Sequence, residues 1–182
     1  MRRILKQVID VDVLERVLAG ALRTGAEFAE VYAEDKSSTS AGLDDGRVEQ
    51  VTSGRDRGAG IRVIAGDTTG FAHTSDLTEA GLATAAAAAA AAAAQRGSGV
   101  RTVSLAQSPN HRPNKVMHHP DNIAKSRKVE LLQRVNDAAR TYGPEIAQVS
   151  AGYGDSSKRT LIANTDGVLA DDEIVRTLLR IS

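Results

Sequence analysis

The sequence predicts an α+β fold: an antiparallel sheet, in one piece or more, with about three helices packed on it. Three observations carry that prediction. The stretch Asp44 to Leu77 reads as strand, loop, strand, tight turn, strand and helix cap. Segments near Val13 to Thr24 and Ser126 to Tyr142 repeat apolar residues at helical period, and an alanine-rich segment follows Leu77. Short alternating runs elsewhere end in Asp-Gly turns.

The first helix is expected over about Val13 to Thr24. Asp12 and Glu15 make a capping-box pair. Val13, Leu14, Val17, Leu18, Ala21 and Leu22 form one apolar stripe, and Gly25 stands where a left-handed C-terminal cap belongs. Phe28 to Glu34 then alternates, with Ala29, Val31 and Ala33 on one face, as a half-buried strand does. Lys36 to Leu43 is polar and reads as a weaker strand at a sheet edge.

Asp45-Gly46 suits a hairpin turn, because both central residues tolerate positive φ. Arg55, Arg57 and Arg62 are interleaved with Asp56 and glycines, which reads as a solvated loop. Ala59 to Ile64 is apolar and β-branched, Gly66-Asp67 offers a second turn, and Thr68 to Thr74 returns as a strand. Asp76 and Glu79 form another capping-box pair at the start of the second helix. That helix contains ten consecutive alanines, Ala85 to Ala94. Alanine has the highest helix propensity but offers little side-chain specificity, so the helix is expected to lie close against the sheet backbone.

Arg96 to Asn122 holds prolines and glycines and reads as a long irregular connection between two halves. The third helix is expected over about Ser126 to Tyr142, with Val129, Leu132, Val135, Ala139 and Tyr142 as its apolar stripe and Gly143-Pro144 as its stop. Ile146 to Ala151, Lys158 to Ala163, Val168-Leu169 and Ile174 to Ile181 read as strands around an Asp166-Gly167 turn. The chain stops inside the last of these, which points to a longer parent protein.

Gly25 to Ala33 aligns with Gly143 to Ala151, each following a helix and preceding a polar strand and an Asp-Gly turn. The expected organisation is one domain of two helix-strand-strand-strand modules sharing a core: module one about 12–95, a linker about 96–122, and module two about 123–182. Equally, any helix-to-strand junction produces such spacing.

Composition excludes several functions. The chain has 182 residues, with 23 basic and 23 acidic side chains and a net charge of zero. Nucleic acid is therefore not the expected partner. No cysteine is present, which removes disulfides, thiolate nucleophiles and thiolate metal sites. The apolar run after Met1-Arg2-Arg3 is too short for a signal peptide, and no window reaches a membrane span of about 20 residues. A cytoplasmic location away from membranes is expected.

A search for chemistry finds no reactive constellation. The histidines are His73, His111, His118 and His119. Only the last two cluster, near Asp121, and adjacent side chains diverge rather than chelate together. His73 reads as a packed or surface residue beside Phe71. Gly58-Ala59-Gly60 begins a dinucleotide fingerprint, but Val63 replaces the third glycine and a strand follows instead of a helix. Asp44-Asp45 and Asp171-Asp172-Glu173 read as solvated turn carboxylates rather than a catalytic pair. No catalytic, cofactor-binding or metal residue is assigned.

The segment Arg57-Gly58-x-Gly60-Ile61-Arg62-Val63, with Gly66, Thr69-Gly70-Phe71-Ala72 and Asp76-Leu77, resembles the N-terminal region of the TldD/PmbA family, also called modulators of DNA gyrase. Ser126 to Arg140, Leu161 to Ala170 and Arg176-Thr177-x-Leu179 continue the resemblance in order, and Gln107-Ser108-Pro109 echoes its connector. It is closer to the TldD branch. The family comprises zinc metallopeptidases and their partner subunits, with an HExxxH helix and a cysteine ligand in the C-terminal half. Neither is present here, so the resemblance implies a non-catalytic N-terminal domain, inactive alone, with zinc expected only in the missing C-terminal domain. It further implies roles in proteolysis or peptide maturation through dimer assembly and peptide enclosure. The implied partners are its own C-terminal domain, a homo- or hetero-dimeric subunit of the same family, and an extended peptide substrate. The competing expectations are a free-standing protein-interaction module without a protease role and a topoisomerase-linked nucleic-acid binder. The latter would need a basic face the sequence lacks.

Overall fold

The computed structural model describes residues 9–93, 102–109 and 116–182. Expectations for Met1-Arg2-Arg3, the end of the alanine run, His111 and Pro113 lie outside the described residues. Among the described residues, three α-helices, α1 (Val11–Ala21), α2 (Glu79–Ala92) and α3 (Lys125–Arg140), accompany six strands. The strands are β1 (Phe28–Asp44), β2 (Arg47–Ala65), β3 (Thr68–Thr74), β4 (Ala106–Gln107), β5 (Ser150–Asn164) and β6 (Val168–Ile181). They form one sheet in the order β3-β2-β1-β5-β6-β4. The fold is α+β, and the sheet is mixed but mostly antiparallel. The exception is the parallel pairing of β4 with Val168 and Leu169 of β6.

Several short strands expected from the sequence are single long ones. Phe28 to Glu34 and Lys36 to Leu43 belong to the same 17-residue strand. That strand lies between β2 and β5, so Lys36 to Leu43 is interior and not an edge. The interleaved arginines and glycines from Arg55 to Gly58 are part of the 19-residue β2 and not a loop. Their side chains are exposed or half-buried along most of that stretch, so the polarity that read as a loop marks a strand wetted on both faces. Lys158 to Ala163 is likewise part of β5, and Val168-Leu169 and Ile174 to Ile181 are both part of β6, whereas Ile146 to Val149 lies outside any strand. Each half of the chain thus runs helix, long strand, Asp-Gly turn, long strand.

The residues gather into two compact units. One contains residues 1–35, 57–111 and 159–172; the other contains 36–56, 112–158 and 173–182. Each has its own apolar cluster. In the first unit, Leu14, Val17, Leu18, Ala21 and Leu22 bury against Ala29, Val31, Ala33, Ile61 and Val63, and α2 adds Leu82 and four alanines. The alternation read from the sequence is kept: Ala29, Val31 and Ala33 are all fully buried. In the second unit, Leu132 of α3 packs on Ala41, Leu43, Ala151 and Tyr153.

The helix caps are shifted from those expected. Asp10, not Asp12, caps α1 by accepting from the Asp12 amide at 3.0 Å. Glu15, free of a capping role, accepts from the Leu105 amide at 2.9 Å. After α1 the chain tightens into a 3₁₀ turn, Leu22–Thr24, and Gly25 takes the left-handed conformation predicted for it, with φ 85°. Thr78 caps α2 through the Gly81 amide. Asp76 instead accepts from the Thr78 amide at 3.0 Å, which folds the approach to the helix, and Glu79 pairs with Arg16 at 2.7 Å.

Candidate functional site

Most of the residues weighed for chemistry serve as structural fixings. Asp45, at φ 48°, and Gly46, at φ 79°, make the turn that the Asp-Gly sequence predicts. Asp45 is ion-paired with Arg140 of α3. Asp44 accepts from Ser150 Oγ at 2.5 Å and from Gln148 Nε2 at 3.0 Å. These hydrogen bonds, Ser150 first and Gln148 second, hold its carboxyl below the usual carboxylate range. Asp76 is held low by the Thr78 amide and hydroxyl, and Glu79 by Arg16.

The histidines are not brought together. His73 is exposed on β3, its ring stacked on Phe71 at 6.5 Å between centroids. His118 is exposed, whereas His119 Nδ1 lies 3.8 Å from Glu173 Oε1. Asp121 bonds to Ser37 rather than to a histidine. Among the described residues, no three His, Cys, Asp or Glu side chains converge as a metal site would require. Among the described residues no donor set fits the zinc that the family resemblance implies. Gly58 stands on β2, where an added Cβ would meet the Thr74 carbonyl at 3.0 Å. It serves strand packing and not a phosphate cradle.

What the second unit does assemble is an open groove. Ser38, Ser40, Thr52, Gly54, Gly154, Ser156, Arg176 and Leu178 line it, with a volume of about 750 Å³. Its floor follows from the register of the strands. The Asp45 amide donates to Val149 and the Thr165 amide to Ala29, which fixes β1 against β5. Gly42 then lies beside Gly152, and Ser40 beside Gly154. The paired bonds between Ser150 and Ser182 fix β5 against β6. They set Arg180 beside Gly152, Leu178 beside Gly154 and Arg176 beside Ser156. A Cβ built on Gly42, Gly54, Gly152 or Gly154 would meet nothing within 4 Å, so the face above these glycines is open.

On the opposite side of the same strands lies a buried polar group that sequence reasoning missed. Lys128 Nζ sits 2.6 Å from Asp155 Oδ2, an ion contact with the two side chains only 4% and 1% exposed. Lys128 also donates to Thr39 at 3.2 Å and lies 5.8 Å from the centre of the Tyr153 ring. Burial, then the neighbouring Asp155, pushes the Tyr153 hydroxyl well above its usual range, opposed by a hydrogen bond from Thr177. This group holds α3 to β1, β5 and β6 beneath the groove.

Taken together, the geometry offers surfaces and open strand edges. On β2, residues Arg47 to Gly58 lie beyond the stretch Ala59–Ala65 that β3 covers. On β6, the stretch Glu173 to Ile181 lies beyond the two residues that β4 covers. Both edges are open among the described residues.

Comparison with known proteins gives the same order of parts as the sequence resemblance. Residues 29–93 match the PmbA/TldA metallopeptidase domain 1, and residues 118–182 match the PmbA/TldA metallopeptidase central domain. The chain is 30% identical over 157 residues to a metalloprotease TldD homolog of Haemophilus influenzae, covering 86% of this chain and 32% of the relative. It is 26% identical over 146 residues to the TldD homolog of Buchnera aphidicola subsp. Acyrthosiphon pisum, covering 80% of this chain and 30% of the relative. It thus spans about a third of the length of these curated relatives. The fold is shared with a Thermotoga maritima protein described as a modulator of a DNA gyrase, at TM-score 0.71 and 16% identity, over 92% of this chain and 38% of the other. It is also shared with TldE from Thermococcus kodakarensis, at TM-score 0.70 and 15% identity, over 93% of this chain and 42% of the other. Two consecutive domain matches, TldD-named relatives and a shared fold converge on one assignment: this chain belongs to the TldD/PmbA family.

Proposed function

We propose that this chain is a non-catalytic part of a TldD/PmbA-like metallopeptidase, serving assembly with a same-family subunit and holding an extended peptide. Proteolysis or peptide maturation would then depend on a C-terminal metallopeptidase domain carrying the zinc. The observation that supports this reading best is the pair of matches to the family's first and central domains, in a sequence without cysteine or an HExxxH run. The physical means is strand addition. An open edge offers unpaired amides and carbonyls, and an extended peptide completes the ladder with little regard for its side chains. The edges that serve this purpose are Arg47 to Gly58 of β2 and Glu173 to Ile181 of β6. Lys36 to Leu43 is not available, because both of its edges are already paired within the sheet.

Titrating the isotopically labelled chain with unfolded peptides, followed by amide NMR, tests the reading. Shifts confined to the β2 and β6 edge amides are expected. If no strand amide moves at saturating peptide, peptide holding is lost from the proposal.

A further inference from the structure

The open edge of β2 carries a charge pattern that complements itself. From Arg47 to Arg57 every residue of the strand is exposed. The next strand, β3, covers only Ala59–Ala65, so the edge before Gly58 is open among the described residues. Strand edges commonly carry charge as a defence against stray pairing. Here the charges admit one neighbour, the same strand running the other way. In an antiparallel pair about a two-fold axis through Ser53, Glu49 faces Arg57, Gln50 faces Asp56, Val51 faces Arg55 and Thr52 faces Gly54. The axis repeats each of these pairs at both ends. Glu49 also lies diagonal to Arg55. Arg55 already has a contact within its own chain, so the direct pair, Glu49 with Arg57, carries the register. The Arg55 stem covers Val51, which is 39% exposed. No like charges oppose each other in this register. An axis through Thr52 sets Arg47 against Arg57, and one through Gly54 sets every charge against a neutral residue. A parallel in-register pair sets each charge against its own copy.

We propose that a second copy of this chain docks along residues 49–57 of β2, antiparallel and centred on Ser53, so that two sheets continue into one across a two-fold axis. The inference rests on the assembly reading above and names the edge that assembly uses. It gives β2 to the subunit and leaves the β6 edge to an extended peptide. Backbone hydrogen bonds between the two strands supply the adhesion. The two Glu49–Arg57 pairs set direction and register, as opposite charges on facing strands do. A second copy is favoured over an unrelated strand because it always brings the opposite sign to Glu49 and Arg57. Peptide and second copy compete for β2, so dilution below the dimer range frees that edge for peptide.

Sedimentation equilibrium on the full chain tests this, together with disulfide trapping, which the absence of native cysteine keeps clean. A concentration-dependent dimer is expected. Glu49→Arg is expected to raise its dissociation constant about tenfold at low salt, since two like-charge pairs replace two opposite ones. Glu49→Arg/Arg57→Glu is expected to restore the dimer, which a merely misfolded variant would not do. Ser53→Cys is expected to oxidise to a covalent dimer, because residues at the axis stand about 4.5–5.5 Å apart between Cα atoms. Val51→Cys is expected to remain a thiol, its two copies being offset by four residues, about 13 Å. A dimer that ignores Glu49→Arg, or that traps through Val51→Cys and not Ser53→Cys, overturns the β2 assignment and leaves the assembly reading intact. A chain that stays monomeric at every accessible concentration overturns this inference, and with it assembly of the chain with its own kind.

Discussion

Lys128 and Asp155 place opposite charges where water does not reach, and that arrangement has an asymmetric energetic consequence. Two buried ions together gain little over an apolar pair, but one left without the other is costly. Lys128→Met should therefore destabilise the chain by about 3–5 kcal/mol, because the Asp155 carboxylate would remain buried with only Tyr153 to bond it. Adding Asp155→Leu should recover most of that loss, with Tyr153 still bonded to Thr177. Urea denaturation of the two single variants and the double variant measures the coupling. A double variant whose loss equals the sum of the two single losses would show that the pair acts independently. This pair was not legible in the sequence. The apolar pattern predicted a stripe of Val129, Leu132, Val135, Ala139 and Tyr142, yet the buried positions of α3 are Lys128, Leu132 and Asn136, and Tyr142 is 90% exposed. The buried face is turned by about one residue, because Asp155 on a strand far along the chain provides a partner for a lysine that would otherwise face water. Hydropathy assigns lysine to solvent and carries no information about such a partner.

At the scale of elements, the alanine run shows what composition alone can foretell. Its lack of bulk predicts close approach to the sheet, and the structure has α2 against β3 with no side chain between them at Gly70. A Cβ added at Gly70 would lie 2.7 Å from the Ala93 nitrogen and also collide with the Ala89 carbonyl. Both neighbours are backbone atoms, which cannot rotate away. Gly70→Ala should therefore push the helix outward and destabilise by about 1–3 kcal/mol, the usual cost of overpacking. Gly54→Ala is the control, since its Cβ would enter open space and its effect should be a few tenths of a kcal/mol at most. Thermal unfolding of both variants checks this, and equal melting temperatures would refute the close-packing account. The turns were legible for a related reason: Gly25, Asp45-Gly46 and Gly167 all take positive φ, a local demand that the residue type itself announces. The long strands were not. Arg55 to Gly58 looks like a break and Lys36 to Leu43 like a separate edge strand, and what makes them parts of long strands is hydrogen bonding to neighbouring strands, which local sequence does not record. The open groove was hidden for the same reason, since its glycines and arginines meet only through the register of separate strands.

At the scale of the molecule, the two apolar clusters are unequal, and this sets where the chain opens first. Among the described residues, the first unit buries 24 in its cluster, all of them aliphatic. The second buries five, supplemented by Leu131 and Val135 at its margin. The second unit depends instead on polar fixings: the buried Lys128–Asp155 pair, the Asp45–Arg140 pair and the bonds from Ser150 and Gln148 to Asp44. Such contacts contribute less net stability than apolar burial, because each exchanges for water on opening. Local opening draws on the region with fewest buried apolar contacts. Native-state hydrogen exchange should therefore show the amides of α3 and of Ser150 to Lys158 exchanging at least tenfold faster than those of α1 and of Phe28 to Glu34. Binding of an unfolded peptide should slow exchange in α3 and β5 of the second unit, because a ligand stabilises the closed form it recognises. Uniform protection across both units, unchanged by peptide, would show that the polar fixings of the second unit are worth as much as the larger core of the first.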